Sequence, residues 1–400
     1  MNTSSTLLVE ALALLPETVS LRREIHARPE LGLDLPMTQT SILTALDGLG
    51  FTVTTGNLLS SVTAVLDTGR PGPIVLLRAD MDALPMSEET GLDFASTREG
   101  AMHACGHDAH VAMLVGAAQL LRAHASELDG RVVFMFQPGE EGDHGARFMI
   151  EEGVLDIAGR VDLAFAIHQS PSLPSGLVAT KGGTLLASAD EIFIDVVGRG
   201  GHASMPFQAL DPIPVACEIV LAIQSMITRK VDVFDPAVVT IAHVTAGTTS
   251  NVIPERASIH GTVRAVSART RQLVHEELSR LVNGIAAAHG ASATLRIEWG
   301  FPVTVNDVTT ADWVREVANE LLGTDNVMEM RNPVMGAEDF SYVLENVAGA
   351  MAFLGTCPEG VQFTNAAPNH SNRMVLNEAA MASGVALYAG VALARSAGIT

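Results

Sequence analysis

Basic residues are scarce in this 400-residue chain: 24 Lys and Arg stand against 45 Asp and Glu, a formal net charge of −21. A surface of that sign repels phosphate backbones and anionic headgroups, which excludes nucleic acid and acidic membrane as partners. Cysteine is rare too. Cys105, Cys217 and Cys357 offer no disulfide framework and suit a reducing compartment. Aromatic residues make up only 4% of the chain against 48% hydrophobic residues, so an aliphatic α/β core is expected. The first apolar stretch, MNTSSTLLVEALALLPETV, has no basic residue before it and is interrupted by Glu10. It lacks the features of a signal peptide and is too short to span a bilayer, and a cytoplasmic protein is expected. No internal repeat, low-complexity segment or Pro/Ser-rich linker divides the chain, whose length allows one large or two ordinary domains.

Against these shortages one stretch is unusually rich. HACGHDAH, His103 to His110, holds three histidines, a cysteine and an aspartate in eight residues. Imidazole and thiolate bind borderline and soft divalent metals well. Cys105 and His107 are two apart, a spacing that converges on one point in an extended or turn segment but not within a helix. The run that follows, VAMLVGAAQLLRAH, reads as a buried helix with Asp108 placed to cap its start. A solvated polar loop is the bland alternative, and the recurrence of ligand-type residues downstream weighs against it.

Residues 5 to 27 read as a helix stopped by Pro29, with His26 structural when taken alone. FTVTT, SVTAVLD and PIVLLRAD read as strands of a mostly buried sheet. The last ends in RADMDALP with Asp80 and Asp82, where open α/β sheets build their sites. The pair reads either as a solvated loop or as carboxylates orienting a metal-bound imidazole. RVVFMFQPGEEG is a strand running into two adjacent glutamates. One such residue, Glu141, can lend its carboxylate to a cation while its neighbour Glu140 takes a proton from the water that the cation acidifies. DLAFAIHQ is a further strand ending in a ligand-type residue, His168.

From about residue 185 the pattern becomes β-α-β-β-α-β. SADEIFIDVVGRGGHAS carries His202, and two helices and two further strands follow before ATLRIEWG closes the unit. That order over residues 185–299 is a ferredoxin-like α+β unit inserted into a discontinuous first domain, residues 1–184 and 300–400. The first domain then regains a helix near Asp312–Leu322, the strand AMAFLGT, a loop bearing His370 and a terminal helix.

RADMDALP, HACGHDAH, QPGEEG, GRGGHASMP, TSNVIPE, MGAEDF and the late NHS, in this order and across nearly the whole chain, resemble the cocatalytic metallopeptidase and aminoacylase family. The branch most similar is that of hippurate hydrolases, auxin-conjugate hydrolases and bacterial N-acyl-amino-acid amidohydrolases. HACGHDAH followed by PGEEG is the specific part of the match. The resemblance implies a mixed-sheet metallopeptidase catalytic domain with the inserted unit serving as lid and dimerisation domain. It implies that Cys105, His107, Glu141, His168 and His370 hold two divalent metal ions, with Glu140 as general base and Asp82 as orienting carboxylate. His202 is similar to a histidine that reaches across a dimer interface to polarise the scissile carbonyl. Asn251 falls where the family binds substrate, and Arg264 is a candidate clamp for a substrate carboxylate. Many relatives carry a histidine and an aspartate where this chain has Asp80 and Asp82, and Asp80 is left outside the ligand set. Glu338 lies near the site by analogy without an assigned role.

The implied activity is metal-dependent hydrolysis of an N-acyl amino acid, of hippurate or N-acetyl type, by a homodimer or tetramer. N-acetyl-diaminopimelate deacetylase and dipeptidase are the alternatives within the chemistry. A catalytically silent binding protein is the alternative outside it, disfavoured by the intact Glu140–Glu141 pair. A thiolate with three imidazoles and a carboxylate favours Mn, Zn, Co or Ni over Mg or Ca. No G-x-S-x-G elbow or phosphate-binding loop competes.

Overall fold

The computed structural model describes residues 3–398, whose contacts divide the chain into two compact units. The larger takes in the chain up to Leu185, Val305–Asn332 and everything from Asp339 onward; the smaller holds Leu186–Thr304 and Pro333–Glu338.

The larger unit is built on an eight-stranded mixed sheet. In spatial order its strands are Thr52–Thr55, Val62–Asp67, Arg131–Gln137, Ile74–Asp80, Leu163–Ser170, Gly349–Gly355, Val178–Thr180 and Val327–Glu329. The central four, from Arg131–Gln137 to Gly349–Gly355, run parallel. Ile74–Asp80 is buried at all seven positions, as the continuous apolar run IVLL requires of a strand covered on both faces. FTVTT differs from the buried strand expected there. It pairs on one side only, with Val62–Val65, and its four residues Thr52–Thr55 are exposed, so it is a polar edge strand. The helices Thr3–His26, His107–Ala123 and Met381–Ser396 pack on one another beside the sheet. Phe134, Phe136, Phe165 and Leu77 are completely buried between these layers. Each such side chain contributes about 1.5–3 kcal/mol by leaving water. Because the central strands are parallel, their C-terminal ends open on one edge, where such sheets place their chemistry.

The smaller unit has an antiparallel four-stranded sheet in the order Ala237–Ala246, Arg256–Ala265, Ser188–Val197, Ser292–Trp299. That order, with both helices on one face, is the ferredoxin-like arrangement the β-α-β-β-α-β pattern specifies. Helix Pro212–Lys230 starts at Asp211, whose side chain accepts from the Ile213 amide. Ala268–Ala288 starts at Ser267, which accepts from Thr270. Their apolar stripes, including Val215, Ile219, Ile223, Val274, Leu278 and Val282, bury Ile192, Ile194 and Ile259 of the sheet. The segment Pro333–Glu338 joins this unit because the carbonyls of Val334 and Gly336 both accept from the Ala187 amide.

Among the described residues two helical stretches, Pro212–Lys230 and Glu378–Ser396, are long and apolar enough to cross a membrane. The second is mostly buried in the core of the larger unit, and the first lays its apolar stripe on the smaller unit's sheet.

Candidate metal centre

Four loops meet at the edge where the parallel strands end. Strand Ile74–Asp80 delivers Asp80 and Asp82, Arg131–Gln137 delivers Glu140 and Glu141, Leu163–Ser170 delivers His168 near its end, and HACGHDAH enters helix His107–Ala123. The loop bearing His370 is fastened alongside by the His370 amide, which donates to the Ala104 carbonyl at 2.9 Å.

These segments bring ligand-type atoms together. One ligand atom each from Cys105, His107 and His168 lie within 4.8 Å of one another, and so do those of Cys105, Glu141 and His370, and of His107, Glu140 and Glu141. The Cys105 sulfur lies 3.4 Å from His168 Nε2. Glu141 Oε1 lies 3.3 Å from His370 Nε2 and 3.8 Å from His107 Nε2. It is buried and makes no hydrogen bond, and neither does either ring nitrogen of His107. Buried polar atoms without partners are costly. Bonds of about 2.0–2.3 Å to one ion place neighbouring ligands about 3.4–3.6 Å apart, close to the spacings found here and longer than a good hydrogen bond. The donor set, with its orphaned atoms, fits divalent cations.

The surrounding bonds fix which nitrogens are offered. His168 Nδ1–H donates to the Gln169 carbonyl at 2.7 Å, leaving Nε2 to face Cys105. Burial, reinforced by the charge of His110, pushes His168 down to about 3, so its imidazole is neutral, the form that ligates. His107 Nδ1 is 3.5 Å from Asp82 Oδ1, and its Nε2 lies 3.5 Å from Asp80 Oδ2 and 3.8 Å from Glu141 Oε1. The neighbouring Cys105 sulfur and, after it, the Glu141 carboxylate raise His370 to about 10. The His370 ring is exposed at the mouth of the cluster, and the Glu141 charge that favours its protonated form also favours a metal cation.

Asp82 does more than face His107. Its Oδ1 accepts from the Glu140 amide at 3.0 Å and its Oδ2 from the Glu141 amide at 2.9 Å, so one carboxylate sets the backbone of both glutamates. Asp80 has both oxygens engaged. Oδ2 accepts from Arg78 Nη1 at 2.8 Å and Oδ1 from His110 Nδ1–H, since His110 Nε2 itself accepts from the Gln169 amide. Burial works to raise the Asp80 carboxyl, but Arg78 and His107 hold it well below the usual carboxylate range. Asp80 is nevertheless within 4.8 Å of His107 and His110 ligand atoms, so the geometry alone does not separate it from the ligand candidates.

Asp108 departs from its expected role. The helix N-cap is Gly106, in the left-handed region at φ 82, and the Asp108 side chain caps nothing. Its Oδ2 instead accepts from Arg22 Nε at 2.9 Å and from His26 at 2.8 Å. The physical reason is that the turn from Cys105 into His107 needs φ above zero, which glycine supplies. Asp108, in the first turn, is left to neutralise two buried cations. Burial lowers the pKa of His26, but the charge and hydrogen bond of Asp108 and a bond to Glu88 outweigh it and raise it to about 9. A group raised on folding stabilises the fold fully below its unfolded pKa near 6.5, and that contribution is lost as pH rises through about 9. The shift corresponds to on the order of 3 kcal/mol. We therefore expect metal-free protein to lose urea stability across that window, and His26→Gln to lose markedly less. An equal loss in both proteins would remove His26 as the cause.

His202, Asn251 and Arg264 belong to the smaller unit and are described within it. The short ribbon Gly201–His202 with Val252–Ile253 sets the His202 and Asn251 loops side by side, the Ala203 amide donating to the Asn251 carbonyl at 3.1 Å. His202 Nδ1 accepts from the Ser204 amide at 3.1 Å, so the neutral ring carries its proton on Nε2, and the residue is exposed. Asn251 is exposed, with Oδ1 accepting from Thr249. Arg264 is half-buried and has no ion-pair partner among the described residues; burial pulls its pKa down. Glu338 is buried in this unit's returning segment.

Two groups beside the centre escaped the sequence reading. Arg78 lies buried among Asp80, Gln137 and Asp339 at 2.8–2.9 Å. Gln169 bonds to the Cys105, Thr356 and Asn369 segments. Neither belongs to a local motif.

The sequence pattern of Peptidase family M20/M25/M40 matches residues 76–394. Thermostable carboxypeptidase 2 of Saccharolobus solfataricus is 38% identical over 381 residues, 94% of either chain. Hippurate hydrolase of Campylobacter jejuni is 37% identical over 387 residues, 97% of this chain and 98% of its own. The crystal structure of a dinuclear metal-binding peptidase of the M20 family from Bacillus subtilis superposes with a TM-score of 0.84. It is 34% identical and covers 96% of this chain and 99% of that one. The chain belongs to peptidase family M20/M25/M40 and is a metal-dependent hydrolase of linear amide bonds in small molecules, using divalent metal ions.

Proposed function

We propose that this M20/M25/M40 member cleaves the amide bond of N-acyl-L-amino acids of hippurate or N-acetyl type. The observation that carries the reading is the convergence of Cys105, His107, Glu141, His168 and His370 beside Glu140. Cys105 is common to two of the ligand triads, which supports two ions held side by side by these five residues; their donor chemistry selects Mn, Zn, Co or Ni. Such ions supply Lewis acidity to the scissile carbonyl and lower the pKa of attacking water.

The chain's own groups do the rest. Glu140 takes the proton from water and passes it to the leaving nitrogen. Asp82 keeps Glu140 and Glu141 in register through their amides. The Nε2–H of His202 donates to the developing oxyanion, Asn251 contacts substrate, and the unpaired Arg264 binds the substrate carboxylate.

His202 acts on the partner's site in a homodimer, or in a tetramer of two such pairs. The strand Ala237–Ala246 supports this assembly: it is a ten-residue sheet edge without Lys, Arg, Asp or Glu, and it exposes Val238 and Val244. An edge of that kind pairs with another chain unless guarded. The three cysteines are all free thiols, which supports a cytoplasmic setting, without nucleic-acid or membrane partners.

A panel of hippurate, N-acetyl-methionine, an indoleacetyl conjugate and N-acetyl-diaminopimelate tests the reading. Each is assayed with metal-stripped enzyme and after reloading with Mn, Zn, Co or Ni. Metal-restored release of a free amino acid is expected. Turnover of dipeptides or carboxy-terminal peptide bonds alone would favour the peptidase reading that the carboxypeptidase relative raises. Silence on every substrate with metal bound would leave a binding protein.

A further inference from the structure

Gln169 is completely buried, and every polar atom it carries is used. Its Nε2 donates to the Cys105 carbonyl and to Asn369 Oδ1, both at 2.7 Å, and its Oε1 accepts from the Thr356 hydroxyl at 2.6 Å. Its backbone amide donates to His110 Nε2 at 2.8 Å, and its carbonyl accepts from His168 Nδ1 at 2.7 Å and from Asn369 Nδ2 at 3.3 Å. A carbonyl such as that of Cys105 can only accept, so the orientation of the Gln169 amide is fixed.

We propose that Gln169 is a positioning residue that sets the spacing among Cys105, His168 and His370, and through it the affinity for metal. The inference rests on the ligand reading given above. Those three side chains come from segments far apart in sequence and fall in two triads that share Cys105, and ligand spacing must hold to a few tenths of an ångström for a triad to serve its ion. His168 precedes Gln169 directly, and Cys105 is reached through its own carbonyl. His370 follows Asn369, whose two amide atoms both close on Gln169. The His370 backbone is at φ 66, in the left-handed region that a non-glycine residue occupies only when held there; the Asn369 bonds and the His370 amide to Ala104 supply that hold. Gly106 completes the fit, since a Cβ there would stand 2.6 Å from the Gln169 side chain.

The test compares Gln169→Met, Asn369→Ala and Cys105→Ala with the native enzyme. Metal dissociation constants come from chelator competition, the thiolate-to-cobalt absorption band from cobalt-substituted protein, and melting temperatures from metal-free protein. Groups that orient ligands change affinity by about 10- to 100-fold when removed. Gln169→Met is expected to weaken metal binding by that factor and to shift the cobalt band, while the metal-free protein still melts cooperatively. The Asn369→Ala variant, cut at a half-exposed residue, is expected to move both readouts the same way by less, and it decides the matter if Gln169→Met does not fold. Native affinity and an unshifted band in folded variants would overturn the inference, even if the melting temperature fell. Unchanged metal binding in Cys105→Ala would overturn the ligand assignment itself, and this inference with it.

Discussion

Replacing Glu140 by alanine is expected to cut kcat by about 10²- to 10⁴-fold, the usual contribution of a positioned general base, with metal content unchanged. The loss corresponds to about 3–5 kcal/mol of barrier. Glu140 and Glu141 are neighbours whose amides are fixed by the two oxygens of one aspartate, Asp82, yet their surroundings differ. Glu141 Oε1 points at His370 and His107 with no hydrogen bond of its own, the placement of a ligand. Glu140 is buried, with a carboxylate oxygen within 4.8 Å of the Glu141 and His107 ligand atoms. On the proposed division of roles it serves the attacking water and Glu141 takes the coordination position. Metal analysis beside steady-state kinetics checks the division of roles. Loss of metal together with activity would make Glu140 a ligand, and a kcat within a few-fold of native would place the base elsewhere. Glu140→Gln, which keeps shape and removes basicity, is expected to behave like the alanine variant.

The metal-ligand candidates of the larger unit were legible because the central strands of its sheet are parallel. Strands buried on both faces read as apolar runs, and the residue type that follows each run shows what its C-terminal end carries. Asp82, Glu141 and His168 each follow such a run, and HACGHDAH announces itself by composition. The β-α-β-β-α-β order likewise carried the smaller unit's topology. What stayed hidden is non-local. Asp108 has the sequence position of a cap, but its partners Arg22 and His26 lie 86 and 82 residues away, and burial of those cations outweighs a local capping bond. Gln169 looks like any polar residue at a strand end, because its partners sit at positions 105, 356 and 369. Arg78 stands in an apolar run where a charge looks misplaced, and Asp339, which joins Asp80 in neutralising it, is 261 residues distant. Composition and period report which face of an element is buried. They do not report which buried polar groups find one another, and in this chain those pairings hold the ligand loops in place.

Mixing two inactive variants is expected to regenerate activity. His202→Ala alone should lower kcat by about 10²- to 10³-fold, the cost of losing one oxyanion donor. Its ring suits that role, because Nδ1 is occupied by the Ser204 amide and Nε2–H faces outward. The exposed loop that carries it also presents Met205 and Phe207 at 47% and 81% exposure. Exposed apolar groups beside a polar donor are what a surface looks like before a partner covers it. If His202 serves the partner's site, a dimer of one His202→Ala and one Glu140→Ala subunit contains one site with both groups intact and one with neither. Random pairing makes half of all dimers mixed, each with one working site of two, so co-expressed variants should recover about a quarter of native kcat. If His202 serves its own subunit, every site in every dimer carries one lesion and mixing restores nothing. Native mass spectrometry of the mixture shows whether hetero-dimers formed. Hetero-dimers without activity would place His202 in its own subunit's site, whereas recovered activity in proportion to their abundance would fix it in the partner's.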